Sequence, residues 1–69
     1  MKPFVIDVFS VDGHGDVRKK RLESDSFESA EKILDMNSAL SNVNRVVISR
    51  RIGGGGVSKM RVWSRDMAA

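Results

Sequence analysis

Ser24-Asp25-Ser26-Phe27-Glu28-Ser29-Ala30-Glu31-Lys32-Ile33-Leu34-Asp35-Met36 is the stretch that decides the fold. Phe27, Ala30, Ile33 and Leu34 recur at helical spacing and form one apolar stripe. Glu28, Glu31, Lys32 and Asp35 lie off that stripe. At the front, Asp25 and Glu28 have capping-box spacing, and Ser26 competes as the N-cap. The pattern predicts a helix from Ser26 to Met36, stopped by Asn37 or running on to Leu40. A single helix with one apolar stripe must bury it against something else, and the flanking segments supply that partner.

Upstream, Phe4 to Val11 (FVIDVFSV) is β-branched and aromatic and reads as a strand. Asp12-Gly13-His14-Gly15-Asp16 is a turn by composition. Val17 to Glu23 (VRKKRLE) is a second, polar strand, and the two form a hairpin. Downstream, an Asn- and Ser-rich loop reaches Asn44. Arg45 to Ile52 (RVVISRRI) and Val57 to Arg65 (VSKMRVWSR) are strands joined by Gly53 to Gly56. Asp66 to Ala69 is expected to fray. The order is ββαββ: one α+β domain over residues 1–69, with a four-stranded antiparallel sheet and one helix packed on one face. The order of the strands within the sheet stays open.

Side chains alternate along a strand, so each strand splits into two sets. Phe4, Ile6, Val8, Leu22, Val46, Ile48, Ile52, Met60 and Val62 form a nearly all-apolar set that the helix should cover. The opposite set holds Val5, Asp7, Phe9, Val11, Lys19, Arg21, Glu23, Arg45, Val47, Ser49, Arg51, Val57, Lys59, Arg61, Trp63 and Arg65. A single helix covers only one face, so this second face opens onto solvent, a second copy or a target. Its cations are Lys19, Arg21, Arg45, Arg51, Lys59, Arg61 and Arg65, against the carboxylates of Asp7 and Glu23. The helix side carries Asp25, Glu28, Glu31 and Asp35 against Lys32. The expected molecule is therefore polarised, acidic on the helix side and basic on the sheet side. The division depends on unbroken alternation, because a β-bulge carries residues across the sheet.

Cations neutralise phosphates by releasing counterions, and aromatic rings stack on unpaired bases. The basic face therefore suggests a polyanion, either nucleic acid or a nucleoprotein complex. Lys19, Arg21, Arg45, Arg51, Lys59, Arg61 and Arg65 would make the electrostatic contacts, with Trp63 and Phe9 as stacking or packing anchors. Two rival readings use the same face. It is a solvated surface whose charges block edge-to-edge aggregation, or it closes on a second copy through Val5, Phe9, Val47 and Trp63. The run Arg18-Lys19-Lys20-Arg21 reads equally as a nucleic-acid patch and as a protected edge strand.

Composition sets further bounds. The 69 residues carry a formal net charge of +3, with a sequence pI near 9.8 and no cysteine. A domain of this size buries only about 60% of the surface its unfolded chain exposes. Its net stability should be about 3–5 kcal/mol unless a partner adds to it. Neither a disulfide nor a thiolate metal site can form, which fits a reducing compartment. The apolar run after Met1-Lys2-Pro3-Phe4 is broken by Asp7, so neither a signal peptide nor a membrane span is expected. The expected location is the cytoplasm.

Catalysis has little to draw on. His14 is the one histidine, and neither a G-x-S-x-G motif nor an inward-facing carboxylate pair is present. Asp12, His14 and Asp16 alternate in the first turn, but turn chemistry accounts for them without a metal. The Gly53–Gly56 run lies between strands and lacks the Gly-Lys-Ser/Thr and following helix of a phosphate loop. We therefore expect a binding protein rather than an enzyme, with no cofactor, metal or small-molecule substrate.

The layout resembles that of small bacteriophage proteins, including some anti-CRISPR proteins and a phage inhibitor of host RNA polymerase. The stretch that carries the resemblance is Glu23-Ser24-Asp25-Ser26-Phe27-Glu28-Ser29-Ala30-Glu31-Lys32-Ile33-Leu34, set between two strand pairs. The resemblance implies an inhibitor that docks on a host nucleic-acid-handling machine in the host cytoplasm, and it transfers no functional residue.

Overall fold

In the computed structural model, which describes residues 2–65, the chain runs in the order ββαββ. β1 is Phe4–Val11, β2 Val17–Ser24, α1 Phe27–Ser38, β3 Val43–Arg51 and β4 Val57–Ser64. One antiparallel sheet has the order β2-β1-β3-β4. β2 and β3 both run antiparallel to β1, so they are parallel to each other with β1 between them. α1 joins them and must cross over β1. This is why the helix packs on β3 and β1 and reaches β2. Among the described residues, no helix is long and apolar enough to cross a membrane. The stretch expected to fray, Asp66 to Ala69, lies outside the described residues.

The helix starts where its cap chemistry dictates. Ser26, in extended backbone, takes the N-cap in place of Asp25, and its Oγ accepts the Ser29 N–H at 3.1 Å. The helix ends at Ser38, beyond the expected Met36 and short of Leu40. Its last turn holds no basic residue to balance the negative end of the helix dipole. Arg65, just past β4, supplies one. Its guanidinium donates to the carbonyls of Ser38, Leu40 and Val43 at 3.3, 2.8 and 2.8 Å.

Ile6 and Val8 of β1, Val43, Val46 and Ile48 of β3, and Ala30 and Leu34 of α1 form the buried core. Phe4, Leu22, Phe27, Ile33 and Trp63 pack around its margin. The expected division of β1, β2 and most of β3 is therefore present. Two bulges alter the rest. Phe9 pairs with Arg45 but Ser10 with Val43, which leaves Asn44 unpaired and turns Val43 into the core. The Asn- and Ser-rich composition places Val43 in a loop, but the bulge draws it into β3.

The second bulge matters more. Ile48 pairs with Arg61 and Ser49 with Lys59, so Met60 has no partner across the sheet. Beyond Met60 the alternation of β4 is reversed. Trp63 lies beside Val46 on the helix side, and Val62 lies beside Val47 on the open side. Two expected core positions are corrected accordingly: Met60 is 49% exposed and Val62 leaves the helix face. A third, Ile52, is 53% exposed because β3 ends at Arg51 and Ile52 opens the turn, its N–H donating to the Gly56 carbonyl. For Met60 and Val62, the physical reason is area. A tryptophan carries about 150–250 Å² that can be buried, far more than a valine, and this outweighs one interrupted ladder position.

Candidate functional site

On the side of the sheet away from α1, the strand register sets side chains in rows across the four strands. One row is Lys19, Phe9, Arg45 and Ser64; the next is Arg21, Asp7, Val47 and Val62; the third is Glu23, Val5, Ser49 and Lys59. Arg51 and Val57 pair beyond the third row. The β1 and β3 members of the rows alternate with buried core residues, and the register carries the same face onto β2 and β4.

Of the candidate contact residues, the structure gathers Lys19, Arg21, Arg45, Arg51, Lys59 and Phe9 here. It does not bring Arg61, Trp63 or Arg65 to this face. The Met60 bulge carries all three to the helix side. Arg61 forms an ion pair with Glu31 of the helix. Trp63 packs against the core, and the Arg65 guanidinium lies 5.2 Å from its ring centre. The acidic helix and the basic strand end are thus joined to each other rather than facing apart. Sequence reading missed the structural roles of Arg61 and Arg65. The available signal was Trp63 itself, since burying the one large indole requires β4 to change phase.

The remaining basic face is partly neutralised by its own carboxylates. Arg21 donates to Asp7 at 2.9 and 3.4 Å, directly across the β1–β2 pair. Arg51 on β3 donates to Glu23 on β2 at 2.8 Å, bridging over β1. The hydrogen bond from Arg51 holds the Glu23 carboxyl below the usual carboxylate range. On the same face Val5 and Val47 are only 0% and 5% exposed. Little of the apolar surface expected to seal a second copy is therefore open: Val5 and Val47 are covered, and Trp63 is on the other side.

Lys19, Arg45 and Lys59 form no ion pair with any described residue. Two of them flank Phe9 in the first row. The Lys19 Nζ is 6.0 Å from the ring centre and the Arg45 guanidinium carbon 5.9 Å. The compact basic and aromatic feature of the open face is thus Lys19–Phe9–Arg45, drawn from three adjacent strands.

The other motifs resolve into local structure. Arg18-Lys19-Lys20-Arg21 lies on the edge strand, where register alternation sends Lys19 and Arg21 to the open face and Arg18 and Lys20 to the other. The Asp12 carboxylate accepts the N–H groups of His14 and Asp16 at 2.9 and 3.0 Å, and the Arg18 Nε at 3.2 Å. The two backbone donors, in that order, hold its pKa below the usual value. Gly54 and Gly55 have φ of 76° and 80°, which turns the chain between β3 and β4 at no steric cost. Among the described residues there is no pocket, and no three His, Asp or Glu side chains gather. Comparisons of the chain with protein-family models, with curated proteins and with solved structures found no match.

Proposed function

We propose that this chain is a non-enzymatic binding protein whose open sheet face engages a polyanion, nucleic acid or the nucleic-acid part of a nucleoprotein complex. The observation that carries this reading is the set Lys19, Arg45 and Lys59, cations on one face with no carboxylate partner among the described residues. Arg21 and Arg51 are already paired, so they organise the face rather than supply free charge. Each unpaired cation that meets a phosphate releases condensed counterions, and binding should therefore weaken steeply with salt.

The test is a titration of the wild type and of the Lys19→Ala, Arg45→Ala, Lys59→Ala triple variant with one oligonucleotide across a salt series. Removing three phosphate contacts should weaken binding at low salt and reduce the log–log salt slope by about 2 for a single strand. Equal affinity and equal slope in the two proteins would remove the reading.

A second reading has its own observation. Ile52, Val57 and Met60 are 53%, 43% and 49% exposed along the hairpin of β3 and β4. Apolar side chains at that end favour docking on a protein, the mode implied by the layout resemblance to phage inhibitors. A stoichiometric protein complex that is indifferent to the triple variant would favour this second reading.

A further inference from the structure

We infer that the open face selects single-stranded over duplex nucleic acid, by taking one unpaired base against Phe9 with its flanking phosphates on Lys19 and Arg45. The inference rests on the polyanion reading above and adds a ligand class to it. The first row of the face places an aromatic ring on β1 with a cation directly across on β2 and another directly across on β3. A nucleotide chain laid across the strands there would present phosphate, base and phosphate in the same order.

Both cations lie over the ring, but each is held there only weakly. At 6.0 and 5.9 Å from its centre they sit near the outer limit of cation–π attraction, about 6 Å. Lys19 and Arg45 are both exposed, and such pairings are weak, so a base can displace either side chain from the ring while its phosphates hold the charged end. Neither cation is tied to a carboxylate of a described residue, in contrast to Arg21 and Arg51 further along the face.

A duplex cannot use the same row. Its bases are stacked on one another, so their flat faces are closed to Phe9 even where a groove exposes base edges. The charges would still attract a duplex, but Phe9 would gain no stacking partner. Stacking on an aromatic ring tolerates any base, so the selectivity concerns strandedness and not sequence.

The experiment compares one single-stranded DNA oligonucleotide, the RNA of the same sequence, the DNA duplex and heparin, a polyanion without bases. All are titrated into the wild type and Phe9→Leu by fluorescence anisotropy or calorimetry at one moderate salt concentration. Leucine keeps an apolar side chain at a half-buried position, and unchanged Trp63 emission verifies the fold from the opposite face. Phe9→Leu should weaken binding of both single strands by about 5- to 150-fold, the range for loss of one stacked base. Its effect on duplex and heparin should be under about twofold, since the counterion term is unchanged. Equal wild-type affinity for single strand and duplex, with no selective effect of Phe9→Leu, overturns the single-strand inference and leaves the polyanion reading standing. Failure of the wild type to bind any of the four overturns both.

Discussion

Ile48→Ala is expected to unfold a large fraction of the molecules at 25 °C. Ile48 is completely buried, on a central strand, in the layer between the sheet and α1. Truncating a buried isoleucine removes its transfer free energy and leaves a cavity, together about 2–5 kcal/mol. A cysteine-free domain of this size has about 3–5 kcal/mol in total. The loss is therefore comparable to the whole stability. Urea denaturation followed by far-ultraviolet circular dichroism measures it. Val57→Ala is the control: Val57 is 43% exposed on the edge strand, and its loss should stay within about 0.5 kcal/mol. A near-neutral Ile48→Ala would mean that the two faces of β3 have been reversed.

Trp63→Ala should destabilise the fold by about 2–3 kcal/mol, below the 3–5 typical of a fully buried tryptophan because Trp63 is only partly covered. The truncation strips the outer margin of the core beside Val46 and removes the ring under the Arg65 guanidinium. Arg65 also holds the carbonyls that follow the helix, so the change should loosen the region of Ser38 to Val43 as well. The remaining folded protein should keep its polyanion affinity, since Trp63 and the open face are on opposite sides of the sheet. Chemical denaturation gives the first quantity, and titration under stabilising conditions gives the second. A Trp63→Ala variant of wild-type stability with weakened ligand binding would place the indole on the open face and contradict the bulge at Met60.

These predictions turn on the point where sequence periodicity stopped being a guide. The helix was legible because its stripe, Phe27 to Leu34, repeats over about two turns, and β1 because Phe4, Ile6 and Val8 alternate without interruption. The Lys19 and Arg45 positions followed from the same alternation. Strand order was not legible, since two hairpins around a helix leave several arrangements open. Only the structure shows β1 and β3 at the centre with α1 crossing over β1. β4 was read with the wrong phase over half its length. Val57 to Arg65 contains apolar residues in both phases, Met60 and Val62 in one and Val57 and Trp63 in the other. A local pattern cannot choose between them. Burial of the indole against Val46 decides, and the bulge at Met60 accommodates it. The same shift takes Arg61 and Arg65 out of the expected binding face and turns them into structural cations, one paired with Glu31 and the other clamped on the end of the helix.

The basic face that remains is smaller than composition suggests. Arg21 and Arg51 are consumed by Asp7 and Glu23. What is left is Lys19 and Arg45 around Phe9, with Lys59 on the third row. A ligand held by these groups must sit away from the helix.

The most direct test is therefore a two-dimensional amide spectrum of the isotopically labelled chain, recorded with and without a single-stranded oligonucleotide. Shifts concentrated at Phe9, Lys19, Arg45 and Lys59, with the Trp63 indole N–H unmoved, are the predicted result. Shifts concentrated at Trp63, Arg61 and α1, with Phe9 and Lys19 unmoved, would contradict it.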